Sequence, residues 1–189
     1  MRFGHYEKPS GDSGRMYESR FLGAAEVDEE FSRALEKLPR GDRRRFKDDE
    51  EVYRLFREHY KGDPTDPEGV HAKELRGALI DALDLSEEDF DKLKFYTALG
   101  VPVIDHMMGV DGFFEYTDPK SGQLRRVTID VTMQHAKEGP KADIVIGELP
   151  DAVQEAKEYV RAIDDYAAKI ARILVPPPEK KSPRRRIMV

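Results

Sequence analysis

Apolar side chains recur at spacings of three and four residues through the first half of the chain. Such spacings place them on one face of a helix, and Pro, Gly and Ser between the periodic segments indicate where helices start and stop. The pattern predicts helices over Asp28–Leu38, Asp48–Tyr60, Val70–Leu83 and Glu87–Leu99. The Pro-interrupted apolar run Val101–Met108 is typical of an edge strand or of an extended entry into the next element.

The period shortens to two in the middle of the chain, where two β-rich runs flank a turn-forming cluster. The runs are Val110–Tyr116 and Gln123–Met133, and the turn is Asp118-Pro119-Lys120-Ser121-Gly122. Proline suits the second position of such a turn and glycine suits its exit. The segment therefore predicts an antiparallel β-hairpin.

A loop of four residues, Pro119–Gly122, sets the register of this hairpin. It places Glu115 opposite Arg126, and a cross-strand pair of opposite charges stabilises a ladder by about 0.2–1 kcal/mol. The same count places Asp111 opposite Asp130. Directly opposed like charges are destabilising unless one is protonated or a cation lies between them.

Alternation divides the second run of the hairpin into two faces. The apolar face is formed by Val127, Ile129, Val131 and Met133, and the polar face by Thr128, Asp130, Thr132 and Gln134. Acids that converge on a polar face are the ligands that a hard cation such as Mg²⁺ requires. The alternative is a solvated face whose acids contribute only solubility.

Two further elements are predicted after the hairpin. Ala142–Ile146 is a continuous apolar run, which is typical of a central strand buried on both faces, and Asp151–Val175 is the longest predicted helix. The apolar side chains of this helix form two interleaved seven-residue repeats and a third, flanking set: Val153, Val160, Ala167 and Leu174; Ala156, Ile163 and Ile170; Tyr159, Tyr166 and Ile173. The pattern fits a helix packed on the sheet, or a homodimer seam over residues 153–174.

The chain has 189 residues, of which 39% are hydrophobic and 37% are charged. This size and composition predict one domain with tails: a disordered N-terminus over residues 1–15, a helical extension over 16–69, a core over 70–175 and a disordered basic tail over 176–189. The predicted fold class is α/β (α+β). It consists of a helical N-terminal part, a small mixed sheet with an antiparallel hairpin, and a long C-terminal helix.

The formal net charge of −6 does not indicate a general nucleic-acid-binding domain, since such domains are usually basic. The tail differs, because Arg184, Arg185 and Arg186 would add salt-sensitive affinity for the phosphates of DNA or RNA, or would act only as a solubilising tail. Cysteine is absent, and no apolar run reaches the roughly 18 residues that a membrane span needs. We therefore expect a soluble cytoplasmic protein with no membrane partner.

Asp111 followed by the triplet Asp130-Val131-Thr132 resembles the signature of the PD-(D/E)XK, or restriction-endonuclease-like, nucleases. In that family an Asp opens one strand, and an acid-x-Lys triplet lies on the adjacent antiparallel strand. The resemblance covers about Glu74 to Glu148 and implies a restriction-endonuclease-like core. It also implies metal-dependent cleavage of nucleic acid phosphodiesters, with Mg²⁺ or Mn²⁺ as the cofactor. Asp111 and Asp130 would bind the metal, and Glu74 would add an acid from the helix before the sheet.

Thr132 stands where the resembled family has its Lys. Lys137 and Lys141 are the candidates to supply that positive charge from another element, and Thr132 itself could only hydrogen-bond the attacking water. Two histidines, His106 and His135, are further candidates for the metal site or for acid–base chemistry. Because the motif Lys is missing, the alternative is a catalytically inactive binding or scaffold protein of the same fold, which would use the long helix or the basic tail for a partner.

Overall fold

The computed structural model of the protein describes residues 14–37, 50–133 and 142–176. Its α-helices are α1 (Gly14–Leu22), α2 (Glu29–Lys37), α3 (Glu50–His59), α4 (Val70–Ala82) and α5 (Ala156–Leu174). Its strands are β1 (Leu93–Thr97), β2 (Gly112–Thr117), β3 (Leu124–Val131) and β4 (Ile144–Ile146). A 3₁₀-helix over Glu87–Lys92 precedes β1, and a short π-helix over Val103–Met108 precedes β2. Across these ranges, no helix combines the length and the apolar character needed to cross a membrane.

The strands form one mixed sheet in the order β1-β2-β3-β4. β1 and β3 run antiparallel to β2, whereas β4 lies parallel to β3. The predicted register of the hairpin is confirmed, because Glu115 pairs with Arg126 and Phe113 pairs with Thr128. The predicted loop closes as expected, since the N–H of Asp118 donates to the carbonyl of Gln123 at 3.0 Å. The predicted mixed α/β class with a long C-terminal helix is confirmed as well.

The sheet separates two hydrophobic cores. On one face, α1, α4 and α5 pack on the apolar side of the hairpin, which includes Val127, Ile129 and Val131. On the other face, α2, α3 and the π-helix pack around Tyr96 and Phe113, whose rings stack with their centroids 5.0 Å apart. The polar side of β3 lies on this second face, so its side chains are placed between layers rather than against open solvent.

The segment Glu87–Leu99 is not the predicted helix. Its first part is the 3₁₀-helix, which begins after Ser86, and its second part is β1. Phe90 and Leu93 lie at helical spacing, but the sequence Lys94-Phe95-Tyr96-Thr97 prefers a strand, and pairing with β2 decides the outcome. Because β1 is buried on both faces, it lacks the polar–apolar alternation by which a strand is recognised.

The run Val101–Met108 is also predicted wrongly, because residues 103–108 form the π-helix rather than an edge strand. Pro102 directly precedes it, and Gly109 follows it in the left-handed conformation with φ 64° and ψ 45°. Proline at a helix start and left-handed glycine at a helix end are ordinary helix boundaries. The sequence thus contains the boundary residues of a helix, and a proline in the run is compatible with a helix start.

The C-terminal elements differ from the prediction in extent and position. β4 covers only Ile144–Ile146 and lies at the edge of the sheet, with Val145 exposed, so the prediction of a central strand buried on both faces is wrong. α5 begins at Ala156 rather than at Asp151. Its buried side chains are Tyr159, Ile163, Ala167, Ile170 and Leu174, whereas Val153 and Val160 are exposed. The apolar stripe therefore packs into the domain core, as the first of the two interpretations expected.

α1 is a helix that the sequence analysis does not predict. Phe21 and Leu22 are buried in the first core, and the first two residues of the helix, Gly14 and Arg15, fall within the range 1–15 that is expected to be disordered. Gly23 ends the helix with φ 76°, and its N–H donates to the carbonyl of Ser19 at 2.9 Å. Several predictions lie outside the described residues, namely those for residues 1–13 and 177–189, Lys137, Lys141, His135, Arg184, Arg185 and Arg186.

The buried stripe of α5 predicts which substitutions weaken the fold. Ile163→Ala removes a core side chain and is expected to lower the free energy of unfolding by about 2–5 kcal/mol. Val160→Ala, on the exposed side of the same helix, is expected to change it by less than about 0.5 kcal/mol. Urea unfolding of both variants measures the difference. Equal losses in the two variants, with dissociation of a wild-type dimer by Val160→Ala, would support the homodimer seam instead.

Candidate functional site

Asp111 and Asp130 lie together at one end of the hairpin. Asp111 directly precedes β2, and Asp130 is the last residue but one of β3. The register that pairs Gly112 with Ile129 places them at the next position along the two strands. Both are buried, with 6% and 5% of their surfaces exposed. For these two acids, the interpretation as a solvated surface is therefore wrong.

The backbone and the side chain of Asp111 are both held by neighbouring strands. Its N–H donates to the carbonyl of Ile129 at 2.9 Å, and its carbonyl accepts the N–H of Ala98 at 2.8 Å. Its side-chain Oδ2 accepts the N–H of Val131 at 2.7 Å. The carboxylate thus acts as an acceptor in the ladder between β2 and β3, which fixes its orientation at the end of the strands.

The carboxyl groups of Asp111 and Asp130 lie within hydrogen-bonding reach of each other. The pKa of Asp111 is raised from 3.8 to about 7, chiefly because burial disfavours the ionised form. The charge of Asp130, the hydrogen bond between the two side chains and the charge of Glu18 also raise this pKa, whereas the N–H of Val131 lowers it. Asp111 therefore keeps its proton up to about neutral pH, and this proton lies where it can be shared with Asp130.

The charge of Glu18 acts on Asp111 because α1, which carries Glu18, crosses the ends of the strands. At one side, the Tyr17 hydroxyl donates to the carbonyl of Gly147 at 3.2 Å and accepts the N–H of Leu149 at 2.8 Å, just after β4. At the other side, the carbonyl of Gly23 accepts a hydrogen bond from the Thr97 hydroxyl at the end of β1, at 3.4 Å. Sequence reasoning missed Glu18, and the available signal was the apolar pair before Gly23, which marks the end of a helix.

Glu74, the third acid that the resemblance implies, lies in a separate cluster between α4 and α5. Its carboxylate accepts a hydrogen bond from the Tyr159 hydroxyl, and the Nδ1 of His71 lies 2.6 Å from the same hydroxyl oxygen. Burial raises the pKa of Tyr159, and the hydrogen bond to Glu74 adds to the rise. Burial also lowers the pKa of His71. This cluster joins the two helices behind the sheet.

Thr132 is buried directly after β3, where its N–H donates to the carbonyl of Ile146 at 2.9 Å. Its hydroxyl offers a hydrogen bond but no positive charge. His106, on the π-helix, is exposed, and its Nδ1 lies 3.7 Å from the Oδ1 of Asp105. Of the sequence-predicted residues that the structure describes, Asp111, Asp130 and Thr132 are therefore the ones placed at the end of the hairpin.

The donor set of the site fits a hard divalent cation. Mg²⁺ is commonly bound in proteins by one or two carboxylates and completes its shell with waters and substrate phosphates. Asp111 and Asp130 supply two such carboxylates at one place. Among the residues that the structure describes, no group of three or more histidine or acidic side chains is arranged to hold a metal.

Comparisons of the chain with protein-family models, with curated proteins and with solved structures find no match. A function for this chain therefore has to be inferred from the paired acids and their surroundings.

The raised pKa of Asp111 predicts how stability depends on pH in the absence of metal. Between pH 3.8 and about 7 the folded state binds one more proton than the unfolded state, so the free energy of unfolding falls as pH rises through this window. The slope for one proton is at most about 1.4 kcal/mol per pH unit. Asp111→Asn removes the titrating group and is expected to flatten the dependence measured by urea unfolding at pH 5, 6, 7 and 8 in EDTA.

Asp164→Asn, at an exposed position of α5, is the matched control for that experiment. It makes the same Asp-to-Asn substitution at a surface position and is expected to leave the wild-type slope in place. If wild type, Asp111→Asn and Asp164→Asn share one pH dependence, the acid pair does not hold the shared proton.

Proposed function

We propose that the protein is a metal-dependent, nuclease-like enzyme that acts on the phosphodiesters of DNA or RNA. The observation that supports this proposal is the pair of buried carboxyl groups, Asp111 and Asp130, on neighbouring antiparallel strands. Two neighbouring buried acids need a compensating positive charge when both are ionised. The resemblance to PD-(D/E)XK nucleases, with its restriction-endonuclease-like core, gives the same pair the role of binding Mg²⁺ or Mn²⁺.

Each residue at this site would have a separate role in binding the metal or the substrate. Asp111 and Asp130 hold the cation, and the N–H of Val131 orients the Asp111 carboxylate. When bound, the metal lowers the pKa of a water and stabilises charge on the phosphate. Thr132 positions water by a hydrogen bond, and Lys137 or Lys141 supplies the positive charge that the motif position lacks. Glu18 adds negative charge beside the pair, which favours a divalent over a monovalent cation.

The substrate and its setting belong to the same proposal. Arg184, Arg185 and Arg186 would add contacts to the phosphate backbone that weaken as salt rises. The absence of cysteine suits a reducing cytoplasm. The Glu74 cluster would support the helices behind the sheet and would not contribute a metal ligand, because its carboxylate is bound by Tyr159.

The second candidate function is a catalytically inactive binding or scaffold protein of the same fold. The observation that favours it is Thr132, which is buried at the position of the motif Lys and cannot carry its charge. A partner, including a second copy of the chain, would then use the basic tail or the exposed side of α5, where Val160 lies.

Cleavage assays separate the two candidates. Labelled single- and double-stranded DNA and RNA are incubated with the chain in Mg²⁺, Mn²⁺ or EDTA. We expect metal-dependent cleavage that falls by at least about 100-fold in Asp111→Asn and in Asp130→Asn, since each removes a carboxylate that holds the metal. The control Asp164→Asn should cleave like wild type. Cleavage that persists in both site variants contradicts the proposal, and stable binding without cleavage favours the scaffold.

The missing motif Lys allows a sharper test of the residue roles. We expect either Lys137→Ala or Lys141→Ala to lower the cleavage rate by at least about tenfold, because it removes the charge that stabilises the attacked phosphate. Adding Thr132→Lys to that variant places a positive charge at the motif position and is expected to restore part of the rate. Wild-type rates in both single variants would show that neither lysine has this role.

A further inference from the structure

A third buried acid, Glu115, lies on the same side of the hairpin as the paired aspartates. Only 3% of its side chain is exposed, and its Oε1 accepts three hydrogen bonds. One comes from the Nη1 of Arg57 at 2.6 Å, and two come from the Nε and Nη2 of Arg126 at 2.8 and 2.5 Å. Two guanidinium groups thus share one buried carboxylate, which leaves one positive charge to be balanced from outside.

The balancing group is Glu50, at the first residue of α3. Its side chain is 63% exposed, and its carboxylate bridges the two arginines. The Nη2 of Arg57 lies 3.1 Å from its Oε1, and the Nη1 and Nη2 of Arg126 lie 3.0 Å and 3.2 Å from its two oxygens. A solvent-exposed carboxylate on a flexible side chain therefore fills the outer side of a fixed pair of guanidinium groups.

The two guanidinium groups are held in place independently of Glu50. The guanidinium of Arg126 lies over the ring of Tyr53, 3.7 Å from its centroid, and is anchored beneath by Glu115. Arg57 projects from α3 and is anchored to the same carboxylate oxygen. A stacked and anchored guanidinium loses little conformational entropy when it binds an anion, and its planar set of donors matches carboxylate and phosphate oxygens.

We propose that Arg57 and Arg126 form a phosphate-binding site that Glu50 occupies in the free protein. Arg126 and Asp130 lie on the same side of β3, four residues apart, which is about 13 Å along the strand. A polynucleotide cleaved at the aspartates would extend one of its neighbouring phosphates to this site and displace Glu50. The proposal rests on the proposed function only in taking the phosphate to be that of a nucleic acid.

Binding without metal tests this site separately from cleavage. A fluorescently labelled single-stranded oligonucleotide and, as a competitor, inorganic pyrophosphate are titrated in EDTA. We expect Glu50→Ala to bind the oligonucleotide at least about tenfold more tightly than wild type, because the competing carboxylate is gone. The gain should be reversed in Glu50→Ala/Arg126→Gln and should shrink as salt rises. Pyrophosphate should displace the oligonucleotide from Glu50→Ala.

Glu58→Ala is the matched control, because Glu58 is an exposed acid of the same helix that pairs with Arg54. It changes the net charge equally, so it reports any effect of charge alone. Equal affinities of Glu50→Ala and Glu58→Ala for the oligonucleotide overturn the proposal. A gain in affinity that persists in Glu50→Ala/Arg126→Gln overturns it as well. Melting temperatures of all variants show whether they are folded. If the chain cleaves no nucleic acid but Glu50→Ala binds the oligonucleotide more tightly than wild type, the nuclease function is rejected and the phosphate site is kept.

Discussion

The two carboxyl groups of Asp111 and Asp130 are buried side by side at one end of the hairpin, and the neighbouring structure depends on them. Burial of a lone ionised carboxylate is costly, and a second one beside it adds repulsion, so the pair requires a shared proton or a cation. Asp111 is fixed by hydrogen bonds to Ala98, directly after β1, and to Ile129 and Val131 of β3. α1 then closes the strand ends and adds the charge of Glu18. Burial, the neighbouring Asp130 and the charge of Glu18 together raise the pKa of Asp111.

Glu115, on the same side of the hairpin, is a buried acid whose charge is balanced by arginine side chains. It is as deeply buried as Asp130, but two arginines satisfy it, so it has no need of a proton or a metal. One side of the hairpin thus holds two aspartates whose burial has to be balanced by a proton or a cation, and two arginines whose charges are balanced by Glu115 and Glu50.

The hairpin could be predicted from the sequence because its loop length and the Glu115–Arg126 pair determine the register locally. Burial of Asp130 could not be predicted, since alternation assigns a side of the strand but does not show what covers it. β1 was missed because a short strand buried on both faces has no alternation and cannot be told from a helix by period. The position of Glu18 depends on the contact between Tyr17 and Gly147, which are 130 residues apart, and no local pattern encodes such a contact.

The most direct test of whether a cation replaces the shared proton is calorimetric titration of Mn²⁺ into the full chain. The titration is done at pH 6 and pH 8, each in two buffers of different ionisation enthalpy. If a cation replaces the proton, one Mn²⁺ binds and releases a proton at pH 6, and it binds more tightly and releases less at pH 8. This binding is lost in Asp130→Asn but kept in Asp164→Asn. Absence of binding at pH 8, or binding that is unchanged in Asp130→Asn, would contradict a metal site at the paired aspartates.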